Sequence, residues 1–139
     1  MNPDIRAVLT RQGLRVTSPR LAVFKALANT ATPLGVTDII KACPAVDKVS
    51  IYRTIETFTR IGVTTVIMHG WKQRYELADP FRPHHHHLHC TKCDTVIEIH
   101  SDEIESVIKD LAQQYAFQPV AHTFEISGLC QSCATRQAD

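Results

Sequence analysis

Two Cys-x-x-Cys pairs, Cys90/Cys93 and Cys130/Cys133, constrain this chain more than any other feature. Each tight turn presents two sulfurs, and four thiolates at about 2.3 Å satisfy one tetrahedral zinc ion. The two pairs are far apart in sequence, yet both lie at the ends of predicted strands, which can bring them together in one small domain. A redox role would need one pair beside a βαβ pattern, and that pattern is absent. The four cysteines therefore read as a structural zinc site. Cys43 stands apart and reads as a small buried apolar residue.

Metal rather than disulfide chemistry fits the rest of the chain. No apolar run approaches the ~20 residues needed to cross a bilayer. The N-terminus, MNPDIRAVLTRQG, lacks the apolar stretch and cleavage site of a secretory signal. The expectation is a cytoplasmic protein without a membrane partner, where thiols stay reduced. Its 139 residues suit one ordinary domain or two small ones, and a hydrophobic fraction of 44% argues against disorder. The net charge of +1 conceals a segregation. Residues 1–62 carry nine Lys/Arg against four Asp/Glu, a net of +5, whereas residues 63–139 carry six against ten, a net of −4. The front half is suited to phosphate and the acidic, His-rich back half to cations.

The basic half reads as short helices. Ile5, Val8 and Leu9 repeat at helical spacing until Gly13. Ser18 is positioned to cap a second helix with Pro19 at its first turn, and Leu21, Phe24, Leu27 and Ala28 form its apolar face. Thr37 is placed to cap a third, stopped by Pro44. Asp47 caps a fourth, with Ile51, Ile55, Phe58 and Ile61 as its buried stripe and Gly62 as its stop. VTTVIMH and QRYELA then form a hairpin around Gly70-Trp71-Lys72. This order is that of a winged helix-turn-helix, whose fourth helix presents Ser50, Tyr52, Arg53, Thr54 and Thr57 on or near the side away from the stripe. These groups can read base edges or grip phosphate in double-stranded DNA.

ADPFRP, from Ala78 to Pro83, is the best linker candidate, because two prolines resist both helix and central strand. The division is a winged-helix DNA-binding unit at 1–78, a linker at 79–83 and a small metal-binding unit at 84–139, which would gain from a metal staple or dimerisation. The last is expected as a three-stranded antiparallel sheet and one helix at 103–116, with VAHTFEI as its final strand. The fold class is thus α+β. In an extended HHHHLHC segment, side chains alternate between faces. His84 and His86 then share one face, and His85, His87 and His89 the other, so one strand can serve two sites. Glu76, Asp79, Glu98 and Glu105, with His69, His100 and His122, are available to complete them, in sets suited to Zn²⁺, Fe²⁺, Mn²⁺ or Ni²⁺.

In the order and spacing of GLRVTSPRLAVFKAL, SIYRTIETFTRIGV, RYELAD, HHHHLHCTKCDTVIEI and HTFEISGLCQSC, the chain resembles the ferric uptake regulator family of metal-dependent repressors along nearly its whole length. The resemblance implies a homodimer that binds palindromic operator DNA when loaded with metal, with no small organic substrate, and it makes 79–83 a hinge and 84–139 a metal-binding dimerisation domain. It places the structural zinc at Cys90, Cys93, Cys130 and Cys133, and a second site at His84, His86, Glu105 and His122. Glu76, His85 and His87 match ligands of a hinge site that senses a regulatory metal, Fe²⁺, Zn²⁺ or Mn²⁺. Arg15 matches a minor-groove residue, Arg20 a phosphate contact, and Tyr52 and Arg53 the recognition-helix contacts. The chain departs from the family pattern at Gly35, where a histidine usually joins the hinge site. Asp79, His69, His89, Glu98 or His100 would then complete that coordination.

Other functions fit less well. Zinc deaminases need H-x-E with P-C-x-x-C, and metalloproteases H-E-x-x-H, and neither occurs here. An enzyme is not expected. An Fe²⁺-dependent peroxide sensor of the same fold is the alternative.

Overall fold

The computed structural model describes residues 2–137, which fall into two compact units divided after Pro83. In the first, α1 (Ile5–Arg11), α2 (Ser18–Ala28), α3 (Val36–Ala42) and α4 (Lys48–Arg60) precede a hairpin of β1 (Thr64–His69) and β2 (Lys72–Leu77). In the second, β3 (His86–Cys90), β4 (Val96–Ile99), α5 (Asp102–Gln114), β5 (Glu125–Gly128) and α6 (Gln131–Gln137) follow.

The apolar stripes of the four helices close a single core in the first unit. Leu9 of α1, Val23 and Leu27 of α2, Ile39 of α3, and Ile51, Ile55 and Phe58 of α4 are all buried there, with Val63 and Leu77 of the hairpin. Cys43 is buried among them, as its apolar character suggests. Asp47 starts α4 as expected, its carboxylate accepting from the Ser50 backbone N–H at 2.9 Å. Two other caps differ from expectation. The residue before α2 is Thr17, with Ser18 already helical. α3 is preceded by Gly35, whose N–H donates to Asp38 Oδ2 at 3.2 Å, so the carboxylate three residues on does the work expected of Thr37. A bridge between Leu34 and Tyr75 ties the loop before α3 to β2. The segment expected as a free hinge is anchored to the first unit. Phe81 packs edge-on against Phe24 at 5.4 Å, and Arg82 donates to the carbonyls of Thr30 and Ala31.

The second unit departs from expectation in three ways. Its sheet has the order β4-β3-β5, and β3 pairs with β4 antiparallel but with β5 parallel, so it is mixed rather than antiparallel. The long connection through β4 and α5 supplies the crossover that a parallel neighbour needs. Residues 120–124, expected as strand, are irregular, and β5 begins only at Glu125. A second helix, α6, follows it and carries Cys133. This unit buries few apolar side chains: among its described residues, Val96 and the cysteines Cys90 and Cys133. No helix of the described residues is long and apolar enough to cross a membrane.

Candidate metal centres

Parallel pairing of β3 and β5 is what assembles the four cysteines. The register sets Cys90 opposite Gly128, so the two Cys-x-x-Cys turns leave neighbouring strands at the same end of the sheet. An antiparallel β5 would have carried Cys130 to the opposite end. The four sulfurs all lie within 4.8 Å of one another, and Cys93 and Cys130 are 3.6 Å apart. Four sulfurs bound tetrahedrally to zinc stand about 3.8 Å apart, so the set fits that ion.

The first turn is held by backbone geometry. Asp94 N–H donates to the Cys90 carbonyl at 2.9 Å, and the Cys93 N–H points at the Cys90 sulfur at 3.5 Å. That N–H is the main reason the Cys90 thiol is lowered to about 5. The Thr95 hydroxyl, 3.0 Å from Cys93 Sγ, lowers that thiol too. Cys133 is pushed up to about 12, chiefly by its contact with Cys130. The site thus favours negative sulfur at one end and resists a full set of thiolates unless a cation balances them. Sequence reading passed over Asp94. It adopts a left-handed φ of 68° and accepts His89 Nε2 at 2.7 Å, which holds that histidine against the cysteine turn.

The second centre uses the other consequence of strand alternation. His86 opens β3, and His84 lies two residues earlier on the same side. Glu105 stands in the first turn of α5, started by Ser101, whose hydroxyl accepts the Ile104 N–H. His122 comes from the irregular run before β5. Glu105 Oε1 lies 2.6 Å from His86 Nε2 and 3.3 Å from both His84 Nε2 and His122 Nε2, and the two latter nitrogens are 2.8 Å apart. Tetrahedral zinc with nitrogen and oxygen ligands sets donors about 3.4 Å apart, so this set fits a small divalent cation. The hydrogen bond from His86 holds the Glu105 carboxyl below its usual range, helped by His122. His86 is only 2% exposed, so the site is rooted in the sheet.

Of the residues expected at a sensing site, His85 and His87 stack edge to face at 4.8 Å on the opposite side of the strand. Glu98 stands opposite His87 in the β3–β4 register, and His100 Nε2 lies 3.0 Å from its carboxylate. Glu76 is in β2, His69 ends β1, and Asp79 follows β2 before a cis peptide bond to Pro80.

On the basic half, Tyr52 is 56% exposed and Arg53 is exposed beside it on α4. Ser50 is half-buried and spends its hydroxyl on Asp47 Oδ2 at 2.6 Å. Thr54, expected on the DNA-facing side, is buried and donates to the Ser50 carbonyl at 2.7 Å. It lies one turn from Ile51 and Phe58 on the core stripe, and so its methyl group belongs to the core. Arg15 is exposed after α1, and its carbonyl accepts from the Arg20 guanidinium.

Known proteins resemble this chain along most of its length. The ferric uptake regulator family matches residues 11–127. A ferric uptake regulation protein of Yersinia pestis is 29% identical over 96% of this chain and 93% of its own length. A peroxide-responsive repressor of Staphylococcus epidermidis is 28% identical over 91% of this chain and 86% of its own. The crystal structure of the Vibrio cholerae ferric uptake regulator superposes with a TM-score of 0.76 at 28% identity, covering 91% of this chain and all of that one.

Proposed function

The chain belongs to the ferric uptake regulator family and is a metal-responsive transcriptional regulator, and on that premise we propose how its residues divide the work. Its cofactors are a structural zinc and a regulatory divalent metal. The carrying observation is the pair of all-protein donor sets, four sulfurs and three imidazoles with a carboxylate, converging in one small unit. Held by four thiolates, zinc supplies a crosslink without redox chemistry. Cys90 and Cys93 present one strand end to it, and Cys130 and Cys133 the other. His84, His86 and His122 with Glu105 fix α5 and the segment before β5 to the sheet.

We assign DNA contact to the basic unit, 1–78, and self-association to residues 84–139. Tyr52 and Arg53 on the exposed side of α4 meet base edges and backbone, while Arg15 and Arg20 meet phosphates. A homodimer is supported by apolar side chains on the second unit that are exposed or, at Leu88, half-buried. Ile97, Leu88 and Ile126 form one row across its three strands, and Val107, Leu111 and Tyr115 line one side of α5. The sensing role falls to Glu76, His85 and His87. Ligands drawn from both halves of the chain make metal binding restrict how the DNA-contacting half is presented. Two α4 helices at one spacing then match a palindromic operator, and the metal's preference for that state sets the gain in affinity. No organic substrate is required.

Gel shift on duplex DNA selected by the zinc-loaded protein, with Fe²⁺, Zn²⁺ or Mn²⁺ titrated in, tests this reading. Affinity should rise with one of these metals; equal affinity in their presence and absence would overturn it.

A further inference from the structure

The hairpin ends on the most exposed large hydrophobic side chain among the described residues of its unit. Trp71, the chain's sole tryptophan, is 99% exposed. The turn needs no indole. His69 pairs with Lys72, leaving Gly70 and Trp71 as a two-residue connection, and Gly70 alone takes the left-handed φ, +63°, that the turn requires. Any residue with an ordinary φ would close it at Trp71. The hairpin is also a fixed arm of the unit that carries α4. Val63 N–H donates to the Phe58 carbonyl at 2.8 Å, and Ala78 N–H to the Val63 carbonyl at 2.9 Å.

Charge selects among partners for such a tip. Residues 63–75 contain no acidic side chain, while Lys72 and Arg74 follow the indole directly. Met68, 51% exposed, adds apolar surface on the adjoining strand. An apolar protein groove would not call for two cations beside the ring, and the hairpin belongs to the same unit as α4, to which DNA contact is assigned. A polyanion with apolar sugar edges between its phosphates matches both properties. An indole presents a flat apolar face with one N–H donor at its rim, suited to lie on deoxyribose and donate to a phosphate oxygen.

We propose that Trp71 is a DNA-contacting residue, seated by the hairpin tip on the sugar-phosphate edge of the duplex, with Lys72 neutralising the adjacent phosphate. This rests on the regulator reading above and extends it to an element outside the helix pair. Because the contact is to backbone, it adds affinity evenly across sequences.

The test uses the full-length metal-loaded protein and a duplex it has selected from a randomised library. Binding is followed by anisotropy of fluorescein-labelled duplex, and Trp71 emission is read separately with the same duplex unlabelled. Emission should be quenched and shifted in step with binding. Trp71→Ala should bind roughly five- to tenfold more weakly on selected and random duplexes alike. Lys72→Ala should reduce the salt slope by about one. Normal anisotropy binding with unchanged emission and an unaltered Trp71→Ala affinity would overturn the inference and leave the regulator reading standing. Emission that responds to protein concentration but not to DNA would likewise overturn it, in favour of a protein partner. Absence of DNA binding under every metal would overturn both.

Discussion

Asp47 shows how one side chain can govern the start of α4, the helix to which we assign DNA contact. Its carboxylate accepts from both the backbone and the hydroxyl of Ser50, and those two bonds hold it below the usual carboxylate value of 3.8. A carboxyl whose folded pKa is depressed contributes stability above its unfolded pKa and loses it as pH falls through the folded one. Asp47→Ala should therefore lower the thermal midpoint of the basic unit by about a few degrees at neutral pH. The gap to the parent protein should close as pH falls below the ordinary carboxylate range and Asp47 takes up its proton, as circular dichroism melts across pH would show. Tyr52 carries the opposite kind of role. It is exposed and packs into no core, so Tyr52→Ala should leave the melt unchanged yet weaken binding to a selected duplex about tenfold more than to random DNA. An equal loss on both would place the contact on phosphate. Both residues were legible from sequence, as a cap at the start of a periodic run and a ring off its apolar stripe. Thr54 was not, because a threonine between Ile51 and Phe58 reads as polar while its methyl fills the core and its hydroxyl bonds one turn back.

At the scale of elements, α4 stands on its stripe. Phe58 is fully buried among side chains from α2, α3 and the hairpin. Phe58→Ala should cost the basic unit about 3–5 kcal/mol, with DNA binding lost at temperatures where the parent still binds. Zinc content per chain should stay unchanged by metal analysis, since the cysteines belong to the other unit. Helices in the first half follow directly from period and caps, and their bounds differ from expectation by a residue or two. The second half was less legible for a physical reason. Strand β5 is four residues long with every residue exposed, so it carries no inward-outward alternation for a reader to find. Helix α6 is seven residues with a cysteine inside it, too short for a periodic stripe. Both elements flank the second Cys-x-x-Cys turn, and β5 is held by its ladder to β3.

For the whole molecule, the metal sites stand where a core would. A unit whose buried apolar set, among the described residues, is Val96 and two cysteines has little to hold it without the crosslink. Cys93→Ser should drop bound zinc to near zero and remove the cooperative melt of the second unit and self-association by sedimentation, whereas Cys43→Ala should keep full zinc. Retained dimers and an unchanged melt in Cys93→Ser would argue against a structural ion. The sequence by itself determined the donor types, their pairing as two Cys-x-x-Cys turns, the split of the histidine run between two faces, and the charge difference between the halves. Those are properties of composition and of local periodicity, which survive without long-range contacts. Only the tertiary structure decided that β5 runs parallel to β3 and that Thr54 turns inward. The first depends on where a long connection brings the chain back, which no local spacing encodes, and the second on which neighbours close over the α4 stripe. The four cysteines announced a common site, and the parallel strand pair shows how the chain makes it one.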